Sequence, residues 1–145
     1  MPKAYASVVI DAPADAVWAH IRDFNGLPKW HPGAKDSRIE DGRPADAIGC
    51  VRKFQLQDGT HIRERLLAMS DADRFYTYSF ETTPFPVRNY HCTLRVTPVV
   101  DGNRSFVEWF TTFDVAEAIE KQWIDTFANA VFMAGLQAIK KHFGA

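Results

Sequence analysis

Only two cysteines, Cys50 and Cys92, occur among 145 residues. They are too few for a disulfide framework, and each reads as a small, buried apolar side chain. No apolar run approaches the roughly 18–20 residues that span a bilayer. The N-terminal stretch MPKAYASVVID also lacks the charged-then-apolar layout of a signal peptide. A cytoplasmic protein without an integral membrane segment is therefore expected. An excess of one charge is missing too: 17 Lys and Arg stand against 18 Asp and Glu, and the basic residues are scattered. Phosphate backbones need a concentrated positive surface, so no nucleic-acid partner is expected. The histidines His20, His31, His61, His91 and His142 show no metal-ligand spacing, so no metal site is expected, and no other cofactor. No repeat, low-complexity tract or Pro/Gly-rich linker divides the chain, which leaves residues 1–145 as one domain by expectation.

What is present is apolar and aromatic: 46% of the residues are hydrophobic, with four Trp, four Tyr and eleven Phe. Such a chain folds around a core. Asp41-Gly42, Asp58-Gly59 and Asp101-Gly102 lie between stretches rich in Val, Ile, Phe, Tyr and Thr, the pattern of turns joining antiparallel strands. The spacing predicts strands at Lys3–Ile10, Lys35–Glu40, Gly49–Leu56, Thr60–Ala68, Phe75–Glu81, Tyr90–Pro98 and Arg104–Phe113. After the first of these, Pro13 fits the first turn of a helix that continues through Val17, Trp18, Ile21 and Phe24, with a second short helix or turn around Leu27-Pro28. A long helix is predicted from about Glu117 to Phe143, started by a capping box of Asp114 and Glu117. Its apolar stripe runs Ile124, Ala128, Val131, Phe132, Gly135, Leu136, Ile139 and Phe143. The order gives an α+β fold: a seven-stranded curved antiparallel sheet around a long C-terminal helix, with two short helices after strand 1. One rod cannot cover a curved sheet completely, so a pocket is expected at one end.

The Asp58-Gly59 turn fixes a register. A two-residue loop would set Arg52 against Arg65, an unfavourable like-charge pair. A three-residue loop of Gln57, Asp58 and Gly59, with the glycine left-handed, pairs Leu56 with Thr60, Phe54 with Ile62 and Arg52 with Glu64. The second register also collects Cys50, Phe54, Leu56, Ile62 and Leu66 on one face, with Arg52 and Glu64 opposed in its middle. Two readings of that pair stay open: a structural ion pair, or the polar end of a ligand pocket.

Tyr76, Tyr78, Phe80, Tyr90, Cys92, Leu94, Val96, Val107, Trp109, Thr111 and Phe113 alternate inward on the most apolar phase. The candidate ligand-binding residues are Arg52, Phe54, Glu64, Tyr78, Tyr90, Trp109, Phe132, Gly135 and His31. For the aromatics, plain core packing is the competing reading, and Phe54, Phe80, Trp109 and Phe132 are bulky enough to plug the pocket themselves. Gly135 on the inner stripe leaves room either for a ligand or for a bulky neighbour such as Trp109. His31 either caps the pocket mouth or is a surface histidine.

Leu27-Pro28-Lys29-Trp30-His31-Pro32, the upstream Ala12-Pro13-Ala14-Asp15-Ala16-Val17-Trp18 and the closing Gly135-Leu136-Gln137-Ala138-Ile139-Lys140 resemble the SRPBCC superfamily (START-like, Bet v 1-like), in its polyketide cyclase/dehydrase branch. Smaller pieces agree, among them Arg63-Glu64-Arg65-Leu66-Leu67 and Val87-Arg88-Asn89-Tyr90. The resemblance implies a helix-grip fold whose cavity, between sheet and C-terminal helix, holds lipids, sterols, hormones or polyketides. Some relatives catalyse ring closure or dehydration and many only bind; no residue set here matches a defined catalytic signature.

Three functions follow as expectations. The first is binding of a small hydrophobic or aromatic, lipid- or polyketide-like ligand, with Arg52, Glu64, Tyr78 and Tyr90 orienting one polar or anionic group. The second is a cyclase or dehydratase in which Glu64 is the candidate catalytic base, although an opposed Arg tends to lower a carboxyl pKa and weaken it as a base. The third is a protein-interaction module using the loop Thr83-Pro84-Phe85-Pro86-Val87, which equally suits a lid. The expected partners are a small hydrophobic ligand and at most a weak homodimer.

Overall fold

Alternating inward apolar and outward polar residues resolve into seven strands: β1 (Lys3–Ile10), β2 (Ala34–Ile39), β3 (Val51–Leu56), β4 (His61–Ser70), β5 (Phe75–Thr82), β6 (Val87–Val99) and β7 (Arg104–Val115). The computed structural model describes residues 1–144. The strands form one antiparallel sheet in the order β1-β7-β6-β5-β4-β3-β2. Consecutive strands from β2 to β7 are neighbours, and only β1 is placed out of sequence, beside β7. The segment between β1 and β2 must therefore run from one edge of the sheet to the other, and it carries α1 (Ala14–Ile21), a 3-10 turn (Phe24–Gly26) and α2 (Leu27–Trp30). Pro13 sits at the cap of α1, one step earlier than its expected place, and its carbonyl accepts from Ala16 and Val17 N–H. Ala14, Val17, Trp18 and Ile21 face the core.

The Asp58-Gly59 hairpin has the three-residue register: Arg52 lies opposite Glu64 and Phe54 opposite Ile62. Leu56 N–H donates to Thr60 O at 2.8 Å, Gly59 takes φ +87°, and Asp58 Oδ1 accepts from Thr60 N–H at 2.9 Å. Three irregularities bend the central strands. Glu81 is an extra residue of β5 opposite the Arg63–Glu64 step, Leu67 is an extra residue of β4, and β6 bulges between Arg88 and His91, where Asn89 adopts φ 52°. Bulges increase local twist and re-aim side chains. Two of these three flank Glu64 and Tyr90.

The C-terminal rod, residues 120–142, is about 35 Å long at the usual rise per residue. It consists of α3 (Glu120–Asp125), a π-helical stretch (Thr126–Met133) and α4 (Ala134–His142), preceded by a 3-10 turn (Glu117–Ile119). The predicted capping box does not form. Asp114 belongs to β7, where it accepts from Asn89 Nδ2, and the 3-10 turn has no side-chain cap. The π winding also shifts the apolar stripe. Phe127, absent from the expected stripe, is buried together with Phe132 five residues on, their rings stacked at 6.4 Å. An α-helix would place residues five apart on different sides; i→i+5 bonding returns them to the same one. Among the described residues no helix is long and apolar enough to cross a membrane. The sheet wrapped about this rod is the expected helix-grip arrangement.

Candidate functional site

The hairpin of β3 and β4 turns Arg52 and Glu64 into the core, where they are 1% and 4% exposed. Arg52 donates through Nε to one carboxylate oxygen, Glu64 Oε1, at 2.8 Å, its Nη2 stands in ion-pair contact with the same oxygen at 2.7 Å, and Nη1 donates to Phe24 O at 3.0 Å. Its guanidinium lies over the rings of Phe24 at 4.1 Å and Tyr78 at 4.7 Å. Planar stacking with forked donation is what permits a cation at this depth. Burial pulls the Arg52 pKa down, but Glu64 and the tyrosines Tyr76 and Tyr78 overcome this and leave it above the ordinary guanidinium value. For Glu64, burial pushes the carboxyl above the usual range and outweighs the opposing pull of Arg52. The expected lowering by the arginine is thus reversed in net direction, because desolvation disfavours the lone charge more than one ion pair restores it. An ionised Glu64 supplies the counter-charge that a permanently protonated Arg52 needs at this depth.

A second polar cluster lies on β5, β6 and β7. Trp109 Nε1–H donates to Tyr78 Oη at 3.0 Å, and the Cys92 thiol donates to the same oxygen at 3.2 Å. Burial raises the pKa of Tyr78 and Tyr90 well above the phenol value and pushes the Cys92 thiol up to about 12. All three stay protonated, so the phenols are hydrogen-bonding groups here and Cys92 is an inert, buried thiol, in line with expectation.

His31 is only 7% exposed. Its Nδ1 accepts from Gly33 N–H at 2.9 Å, which leaves Nε2 to carry the proton and donate to Val131 O of the π segment at 2.7 Å. The histidine ties the loop after α2 to the C-terminal rod, and the surface alternative does not hold. Gly135 lies against it. A Cβ at Gly135 would come within 2.6 Å of His31 Cδ2 and 2.8 Å of Trp109 Cζ3. The room left by this glycine is filled by two rings, not by a cavity.

A cavity of about 450 Å³ opens between the rod and the β3–β6 part of the sheet. Of the residues singled out from sequence, Arg52, Phe54, Glu64, Tyr78, Tyr90, Trp109 and His31 line it. Phe132 and Gly135 do not, which corrects two placements. Phe132 is fully buried and stacks on Trp109 at 4.9 Å, filling space near the rod. Sequence reasoning missed Phe127 because of the π phase, and it left Leu27, Ala130 and Thr126 unassigned. Their sequence signal is weak, because only the relative placement of α2 and the rod turns them toward the void. The sequence reads Phe85 as an exposed tip or a lid. Its ring turns inward against Trp123 (5.1 Å), Phe80 (5.8 Å) and Phe127 (6.0 Å) and forms part of the wall. Exposed Asp58 and Ala130 mark the rim, so the mouth lies at the hairpin end.

Residues 1–144 match the family model described as polyketide cyclase / dehydrase and lipid transport. Among solved structures, the protein XoxI from Bacillus cereus is 35% identical over 99% of this chain and 96% of its own, with a TM-score of 0.88. An uncharacterized protein from Bacillus thuringiensis is 33% identical over 97% of this chain and 98% of its own, with a TM-score of 0.86. An aromatase/cyclase from a Streptomyces species shares the fold at 16% identity, covering 97% of this chain and 92% of its own with a TM-score of 0.78. The search of curated proteins gives no match.

Proposed function

The chain belongs to the polyketide cyclase/dehydrase and lipid transport family, and from that membership we propose that it binds a small hydrophobic or aromatic molecule, lipid- or polyketide-like, in the cavity between sheet and rod. The observation that carries this reading is the void itself. About 450 Å³ stays empty although Phe54, Phe80, Trp109 and Phe127 stand around it, and that volume falls in the range of small-molecule sites. Apolar walls supply roughly 25 cal/mol per Å² of ligand surface buried. Native mass spectrometry of freshly purified protein tests it. A small-molecule adduct released on denaturation is the expected result; a bare chain that also takes up no apolar probe would overturn it.

One observation favours a second reading, a cyclase or dehydratase. The Glu64 carboxyl is raised by burial and opens on the same cavity, as a general base should. With a polyketide-like substrate, Glu64→Gln then abolishes turnover; undiminished turnover in the variant removes Glu64 from that role.

A further inference from the structure

Arg52 and Glu64 meet asymmetrically. Both contacts from the arginine fall on Oε1: Nε donates to it and Nη2 pairs with it, while Nη1 donates to Phe24 O and the rings of Phe24 and Tyr78 lie against the guanidinium. Glu64 Oε2 accepts no hydrogen bond among the described residues. Nor is it sealed in: the fully enclosed polar side-chain atoms without partners are Trp30 Nε1 and Tyr76 Oη. Since Glu64 lines the cavity, Oε2 is the free acceptor on its wall. A buried carboxylate oxygen without a donor is costly, and a ligand that supplies the donor recovers that cost.

We propose that the cavity selects a neutral ligand carrying a hydroxyl or N–H donor, which Glu64 Oε2 accepts, and that it discriminates against carboxylates and other anions. This rests on the cavity being a ligand site. The charge arithmetic supports it independently of the hydrogen bond. The cation and the anion of the pair cancel, so a neutral guest leaves the interior neutral, whereas an anion adds an uncompensated buried charge beside Glu64. The sequence leaves a polar or an anionic group open; the pairing of the guanidinium with Glu64 weighs against the anionic one, because that cation's charge is already balanced. Tyr90 lines the same cavity, and its ring stacks at 3.9 Å on Phe80, the residue opposite Glu64. Tyr90 therefore adds a second hydroxyl-bearing side chain to the wall on which Glu64 stands.

Three probes of one size separate the terms: β-naphthol, its methyl ether and β-naphthoate, titrated calorimetrically into the wild-type protein at neutral pH. Expected is β-naphthol binding at least about tenfold more tightly than the ether, the increment of a hydrogen bond to a charged acceptor, with the naphthoate weakest. Equal binding of alcohol and ether, or tighter binding of the naphthoate, overturns the selection while leaving the cavity a ligand site. Binding of none overturns the cavity reading and the selection with it. Tyr90→Phe, which keeps the ring, assigns the acceptor. Retention of the alcohol's preference in this variant supports Glu64 Oε2, and its loss transfers the role to Tyr90 and overturns the assignment.

Discussion

Arg52 and Glu64 show how a single residue pair sets the character of an interior. Each charge is tolerable at this depth because the other is 2.7 Å away. Glu64→Ala leaves Arg52 buried without a counter-charge and is expected to cost about 3–5 kcal/mol, whereas Arg52→Met combined with Glu64→Leu recovers most of that loss, because an apolar pair has no desolvation penalty. Urea unfolding of the single and double variants checks the contrast. His31 is the second residue whose environment is measurable. Burial lowers its pKa, against the opposing effect of its bond to Val131 O, and Arg52 lowers it further. The unfolded chain takes up a proton near pH 6.5 while the folded ring resists it, so the stability present above about pH 6.5 is lost as pH falls below it. His20, stacked on His142 at 3.9 Å and lowered chiefly by burial, contributes with the same sign. Glu64, whose carboxyl is raised, contributes with the opposite sign. Comparison with His31→Gln therefore isolates His31. Between about pH 7.5 and about pH 5.5 the wild type is expected to lose about 1 kcal/mol more stability than the variant, read from urea midpoints.

At the scale of elements, the hairpin and the rod behave differently. The β3–β4 register followed from charge pairing and turn chemistry, both local, so the opposition of Arg52 and Glu64 was readable in advance. The rod's phase was not. Thr126 Oγ1 donates to Gln122 O at 2.9 Å and His31 engages Val131 O at 2.7 Å. Side chains that occupy helix carbonyls accompany a change in winding, and one of these two comes from 100 residues away. Hence Phe127 enters the wall although an α-helical count leaves it off the stripe. Gly135 belongs to the same contact. Gly135→Ala adds a better helix former by roughly 1 kcal/mol, yet its methyl meets two rings held in place by hydrogen bonds and packing. The clash is expected to win, with a net loss of about 1–2 kcal/mol in denaturant unfolding. A stabilised variant would show that the His31 and Trp109 rings can give way.

At the scale of the whole molecule, the question is why the interior stays incompletely filled. The sheet's order brings β1 beside β7 and leaves β2 at the far edge, so the rod covers one end while the hairpin end stands open. If the void is held by this architecture and not by the shape of any one side chain, Leu56→Trp at the half-buried rim is expected to fill it. Stability then stays within about 1 kcal/mol of wild type by thermal unfolding, while uptake of an apolar probe is lost. The sequence by itself determined the existence and order of the strands, with β6 starting three residues earlier and β7 ending two residues later than the spacing predicts, the inward phase of β3 to β7, the hairpin register and the meeting of Arg52 with Glu64, because period, turn residues and cross-strand charge act over a few residues. Tertiary structure alone decided that His31 is clamped inside, that Phe85 folds into the wall, that Phe132 and Gly135 lie off it, and that Glu64 keeps one oxygen free. Those outcomes depend on which distant surfaces meet and how much space remains between them, and close packing between remote segments leaves no periodic trace in the chain.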